Sequence, residues 1–211
     1  MKFRFCILLI FIFHVVNGFS QNQDFGIWTG IKVSKEISKK GSAFGEIQGR
    51  FNQNASKRKS TYLQTGVNYK FTKWYKLGLV YRYTNYGEYD ANRFDIDNSF
   101  KYKLKKNTFE IRLKYQKSFV TSKIKGNRFR IRFKYILKVN KKFIPYLKAQ
   151  YFYSNTYNYN NWNQQRYTIG TVIRIKKKNY VDVFYNYEFE HNVANPLTQY
   201  VLRVKYKLEI K

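Results

Sequence analysis

Cations at every second position are the feature of this sequence with the clearest potential for chemistry. The two rows with this spacing contain Arg112, Lys114, Arg128, Arg130, Arg132 and Lys134. On an extended strand, residues two apart project from the same face, so each row forms a line of positive charge. Like charges held close together in a low-dielectric interior must be paired with carboxylates or must attract anions. We therefore predict that these six residues line a binding site for small anions.

Nearby carboxylates keep a second interpretation open. Asp95 and Asp97 lie one predicted strand further on, Glu110 lies on the same strand as Arg112 and Lys114, and all three have the side-chain chemistry of counter-ions. The cationic rows could then be part of an interstrand lattice of ion pairs that fills the interior of the fold. The sequence alone leaves both the lattice and the anion site as hypotheses.

The elements that carry these rows are predicted to be β-strands. Phe129, Ile131, Phe133 and Tyr135 alternate with the cations of the second row. A helix would mix the apolar and the charged set on every face, whereas a strand separates them. The same alternation recurs along the chain, and no segment requires a helix. Eleven strands are predicted at about 25–37, 43–53, 60–71, 74–84, 92–104, 107–118, 127–137, 143–153, 164–175, 180–190 and 198–210.

The connections between these segments alternate between short basic turns and longer loops. This alternation is typical of an antiparallel, up-and-down transmembrane β-barrel with short periplasmic turns and longer extracellular loops. Lysine pairs such as Lys105-Lys106 and Lys141-Lys142 lie in the short turns. They are either solvated turn charges or contacts to the anionic headgroups of outer-membrane lipids.

A soluble secreted β-barrel that binds a ligand is the competing fold, because it shows the same alternation with the opposite sign. Its apolar set would face the interior, and its charged set would face the solvent.

The number of predicted strands, eleven, does not fit a bacterial barrel. Bacterial barrels have an even number of strands, so that both chain ends lie in the periplasm. The segment 25–37 is then the extra one, and we predict 10–12 strands with a narrow lumen.

The first twenty residues are predicted to be a cleaved signal peptide, which leaves 21–211 as one barrel domain. Lys2 and Arg4 precede a twelve-residue apolar run, which is too short to span a bilayer comfortably. Cys6, the only cysteine, and His14 would be removed with this segment. A net charge of +29 is typical of proteins that bind nucleic acid, but export separates this chain from intracellular nucleic acid, and we predict no nucleic-acid partner. The charge is instead assigned to the lumen and to contacts with outer-membrane lipids.

No enzymatic activity is expected, although an outer-membrane lipid hydrolase or acyltransferase is the alternative. Such chemistry needs a nucleophile beside a general base, usually Ser with His. His191 is the only imidazole of the mature chain, and no Ser falls beside it in the sequence. We also predict no cofactor and no metal site, since no phosphate-binding loop, dinucleotide signature or metal-ligand spacing is present.

The chain resembles a family of Gram-negative outer-membrane β-barrels known as a domain of unknown function. The residues that carry the resemblance are Gly26-Ile27-Trp28, Gly66 to Tyr83, Phe129 to Tyr153 and Arg166 to Glu188. The resemblance covers 25–211 and implies an outer-membrane location. It implies no assigned activity, and it provides no catalytic residues.

Overall fold

The computed structural model describes residues 22–120, 126–156 and 160–210, and the predicted signal peptide lies outside these ranges. The described chain forms eleven β-strands. No helix within these ranges is long and apolar enough to cross a membrane. The strands are β1 (Asn22–Glu36), β2 (Gly41–Asn52), β3 (Lys57–Lys70), β4 (Tyr75–Asn85), β5 (Asp90–Leu104), β6 (Asn107–Val120), β7 (Gly126–Leu137), β8 (Phe143–Asn155), β9 (Asn160–Lys176), β10 (Asn179–Glu190) and β11 (Leu197–Ile210).

The eleven strands close into one barrel. Each strand pairs antiparallel with the next one along the chain, and β1 pairs with β11 in parallel to complete the ring. The parallel seam is a continuous ladder from Asn22 opposite Leu197 to Lys35 opposite Ile210. Closure leaves no unpaired strand edge, which is the condition for a sheet to cross a membrane.

All eleven predicted strands are present, and the predicted range of 10–12 is confirmed. The segment expected to be extra is β1, a full member of the wall. The expectation that both ends of the barrel chain lie on one side was wrong. Because β1 runs parallel to β11, Asn22 and Ile210 lie at opposite ends of the barrel.

The direction of the side chains decides between the two barrel types. Large apolar residues point outward, and Leu63 and Ile169 are 58% and 63% exposed. Acidic residues of the opposite phase point inward, and Asp95 is only 2% exposed. This arrangement, with apolar side chains outward and charged side chains inward, is that of a transmembrane β-barrel, whose apolar outer face would be unstable in water. The soluble barrel required the reverse arrangement.

The two ends of the barrel differ in charge. The basic end carries the turns 37–40, 71–74, 105–106, 138–142 and 177–178, which together contain ten lysines and no acidic residue. At the opposite end, here called the neutral end, the described loops 53–56, 86–89 and 191–196 contain no Lys or Arg, whereas 121–125, with Lys123 and Lys125, lies outside the described residues. The strands extend further toward the neutral end than the sequence predicted, so these loops are shorter than expected.

Candidate functional site in the lumen

The lumen is the largest polar feature of the barrel. Its main cavity has a volume of about 390 Å³ and is lined by side chains from all eleven strands. Sixteen Lys or Arg side chains line this cavity, against four Asp or Glu side chains. The interior is therefore strongly cationic, and a barrel of this strand number is narrow.

All six residues of the predicted cationic rows line the main cavity. They lie on the adjacent strands β6 and β7, where Lys114 is directly opposite Arg130 and Arg112 is directly opposite Arg132. Like charges in opposite positions of a sheet repel each other. The rows therefore need either carboxylates from neighbouring strands or anions from solution.

Carboxylates from β5 and β6 neutralise part of the rows. Lys114 Nζ lies 2.7 Å from Asp95 Oδ2 and 3.1 Å from Asp97 Oδ2. Arg132 donates a hydrogen bond to Glu110, whose other oxygen is 3.3 Å from Lys101 Nζ. The ion-pair lattice is thus real, and it includes the three acidic residues that the sequence suggested as counter-ions.

Glu46 is a lumen residue that sequence reasoning missed. Its Oε1 atom lies 2.8 Å from Lys205 Nζ and 3.5 Å from Arg203 Nη2, so it joins β2 to β11 across the closing strand β1. The Tyr62 hydroxyl lies 2.7 Å from the same oxygen. Glu46 occupies the polar phase of β2, but its role depends on the pairing of β1 with β11, which the sequence does not show.

Aromatic rings inside the lumen form a second group that sequence reasoning missed. Arg82 lies 3.8 Å from the ring centroid of Tyr62, and Lys148 lies 4.3 Å from that of Phe184. Cation–π contacts of this kind stabilise a charge without neutralising it. The available signal was an aromatic residue in the polar phase of a strand. The rings are Trp28, Phe44, Tyr62, Tyr146, Phe152 and Phe184.

Gly170 allows one of these rings, that of Tyr146, to lie over strand β9 on the inner face of the barrel. Tyr146 on β8 and Phe184 on β10 lie on either side of Gly170 on β9. A Cβ atom at position 170 would lie 2.5 Å from Phe184 Cβ and 2.7 Å from Tyr146 Cζ. Without that atom, the Tyr146 hydroxyl reaches β10 and donates a 2.6 Å hydrogen bond to Asp182 Oδ1.

A second cavity of about 200 Å³, the outer chamber, lies next to the main cavity toward the neutral end. Trp28, Arg50, Arg128 and Arg166 line both spaces. Arg50 lies 4.4 Å and Arg166 lies 5.3 Å from the Trp28 ring centroid. Arg166 Nε is also 2.7 Å from Glu188 Oε1. These contacts place an indole ring and two guanidinium groups between the outer chamber and the main cavity.

His191 lies away from this cavity, immediately after β10. Its backbone N–H donates to the carbonyl oxygen of Asn163, and its ring lies 5.8 Å from that of Phe189. Its Nδ1 atom is buried and has no hydrogen-bond partner within the described ranges. No group of three or more His, Cys, Asp or Glu side chains in the same ranges is placed to hold a metal ion.

Comparison with solved structures gives outer-membrane barrels. The NanC porin shares 14% sequence identity with this chain, with a TM-score of 0.53, and the match covers 78% of this chain and 85% of that one. The outer-membrane OmpT of Vibrio cholerae shares 10% identity, with a TM-score of 0.45, over 71% of this chain and 54% of that one. At these identities, the first likeness shows the fold alone.

A search of curated proteins found no match. A family model described as "Protein of unknown function (DUF2490)" matches residues 25–200. This range covers the barrel from β1 into β11 and includes all six residues of the cationic rows. The chain therefore belongs to the DUF2490 family of proteins of unknown function.

Proposed function

We propose that this barrel lies in the outer membrane and acts as a narrow conduit that favours anions. The observation that carries the proposal is the excess of sixteen cavity cations over the four carboxylates that line the cavity and the two others, Asp95 and Glu188, that pair with its cations. In a narrow space with low-dielectric walls, such an excess concentrates anions and repels cations. The porin-like fold supports the same class of function.

The ion-pair lattice is consistent with this proposal because it is incomplete. Eight of the sixteen cavity cations form ion pairs within 4 Å, and the other eight form none with a described carboxylate. The paired half stabilises the barrel, and the unpaired half supplies the field that attracts anions. A purely structural lattice would need more carboxylates than the lumen contains.

The asymmetry of the ends supports an orientation in the membrane. Ten turn lysines at the basic end suit the anionic phospholipid headgroups of the periplasmic leaflet, where each cation near the surface contributes about 1 kcal/mol. The neutral end would then face the exterior. Outer-membrane lipids are thus proposed partners, and nucleic acid is not.

The test begins with the fractionation of cell membranes and heat-modifiable gel migration, which report a folded barrel. Planar-bilayer recording of the purified chain then follows. Stable, small conductance steps are expected for a conduit. A folded barrel without conductance would favour a purely structural role. Lipid hydrolysis that disappears in His191→Ala would instead support the enzyme.

A further inference from the structure

The unpaired arginines and the unpaired lysines of the main cavity lie in opposite halves of the barrel. Those with no ion pair in the described chain are Arg50, Arg82, Arg128 and Arg130, together with Lys32, Lys76, Lys134 and Lys148. The four arginines lie in the half of the barrel nearer the neutral end. The four lysines lie in the half nearer the basic end.

The strand positions show this division. Arg50 is two residues from the neutral end of β2, and Arg128 is two residues from the neutral end of β7. Lys76 is one residue from the basic end of β4, and Lys134 is three from the basic end of β7. Two other lysines lie near the four arginines: Lys114, opposite Arg130, is paired with Asp95 and Asp97, and Lys59 lines the outer chamber rather than the main cavity.

The two cations recognise anions differently. Arginine presents a planar fork that binds both oxygens of a carboxylate or phosphate, whereas lysine acts as a compact point charge. Arg50 and Arg130 each keep a buried Nε atom without a hydrogen-bond partner. Their guanidinium carbons lie 4.4 Å from the Trp28 ring and 5.5 Å from the Phe152 ring, respectively. These contacts hold the guanidinium groups while leaving donors for a ligand.

The acidic residues near the arginines already have partners. Asp95 Oδ1 is 2.8 Å from Arg93 Nε, and Glu188 Oε1 is 2.7 Å from Arg166 Nε. Within the described ranges, Arg128 Nε donates to the hydroxyl of Ser154, at 3.1 Å. Arg82 Nε donates to the amide oxygen of Gln64, at 2.9 Å. Asp97, the carboxylate nearest in effect to Arg130, is paired through Oδ2 with Lys114 and Arg112. Arg82 and Arg128 therefore meet neutral groups where an oxyanion would bind more strongly.

We propose that the arginine half of the lumen is a binding site for small oxyanions, which are molecules carrying a carboxylate or phosphate group. The lysine half is a weaker site through which the anion leaves toward the basic end. This inference rests on the proposed conduit and names the class of its substrate. Halide ions lack the two oxygens that a guanidinium fork binds, so they gain less from the arginine half.

The test measures binding to the full chain folded in detergent micelles, by calorimetry at constant chloride concentration. Inorganic phosphate and succinate are the two probes, because they separate the phosphate source from the carboxylate source. The Arg128→Lys/Arg130→Lys double variant keeps the charge but removes two forks. We expect its affinity for the bound probe to fall about tenfold or more, since hydrogen bonds to charged groups are the strong ones.

The matched control is Lys134→Arg/Lys148→Arg, which also keeps the charge and alters the other half. Its affinity for the probe is expected to fall by less than about twofold, since the arginine half is intact. If the first variant fails to show heat-modifiable migration, Arg50→Lys replaces it. Unchanged affinity in the arginine variants, or no binding of either probe to the wild type, overturns the inference.

Binding and conduction can fail separately. A wild-type barrel that binds phosphate or succinate but does not conduct would overturn the conduit and keep the oxyanion site. An anion-selective barrel that binds neither probe would keep the conduit and overturn the site.

Discussion

Replacing Gly170 by alanine tests whether the lumen is held by the crossing of Tyr146 over β9. The added Cβ would lie 2.5 Å from Phe184 Cβ and 2.7 Å from the Tyr146 hydroxyl oxygen. Phe184 Cβ is attached directly to the backbone, so that contact cannot be relieved by a rotation of the side chain. The backbone of β9 must therefore shift away from β10, and the Tyr146 ring must also move, which weakens its hydrogen bond to Asp182.

The magnitude follows from these two costs. Overpacking of a filled interior costs about 1–3 kcal/mol. Loss of a hydrogen bond to a charged group costs about 1.5–3 kcal/mol. We expect Gly170→Ala to lower the free energy of unfolding by about 2–4 kcal/mol. The two costs do not add in full, because a movement of Tyr146 that reduces the overpacking also weakens its hydrogen bond. Urea unfolding in lipid vesicles, followed by tryptophan fluorescence, measures this quantity.

Gly45→Ala is the matched control, because a Cβ at position 45 meets no atom within 4 Å. It should change the free energy of unfolding by less than about 0.5 kcal/mol, which is typical of a surface substitution away from such features. Tyr146→Phe removes the hydroxyl alone and isolates the hydrogen bond. If Gly170→Ala unfolds at the same urea concentration as Gly45→Ala, the close packing of Tyr146 and Phe184 around Gly170 is refuted.

Three further predictions follow from the lumen and the seam. Glu46→Gln leaves Lys205 without its 2.8 Å carboxylate partner, so the free energy of unfolding in urea should fall by about 3 kcal/mol. Bilayer recording should show a stronger preference for anions. An unchanged urea midpoint would contradict the contact between Glu46 and Lys205. Trp28→Ala removes the indole between the outer chamber and the main cavity, so single-channel conductance should rise. An equal conductance would show that this ring does not limit the passage of ions. The native chain has one cysteine, Cys6, so a single new cysteine can be labelled at either end of the barrel. Ser56→Cys should react with an impermeant maleimide on intact cells, and Lys106→Cys should react only after the outer membrane is opened. The reverse pattern would mean that the orientation is the opposite one.

The fold was largely predictable because the alternation of apolar and polar residues has a single period throughout the chain. Phe129 to Tyr135, set against Arg128 to Lys134, specify a strand and its two faces without reference to any other strand. The parallel closure was not predictable in this way. The sequence of β1 has the same pattern as its neighbours, and nothing in it records that its second partner is β11.

The candidate site was predictable in part for a related reason. The cationic rows can be recognised from residue spacing along a single strand, and all six residues line the lumen. Contacts between residues on different strands cannot be recognised in this way. Glu46 meets Lys205 only because the barrel closes, and Tyr146 meets Asp182 only because Gly170 lies between them. Both contacts depend on the register between strands, which no local pattern encodes.

The reversal potential of the wild-type barrel in a planar bilayer under a KCl gradient tests the central claim most directly. The sixteen cations and four carboxylates of the main cavity predict a potential of the sign set by chloride. A potential of the sign set by potassium would contradict the account, because the lumen charge would then not govern which ions pass.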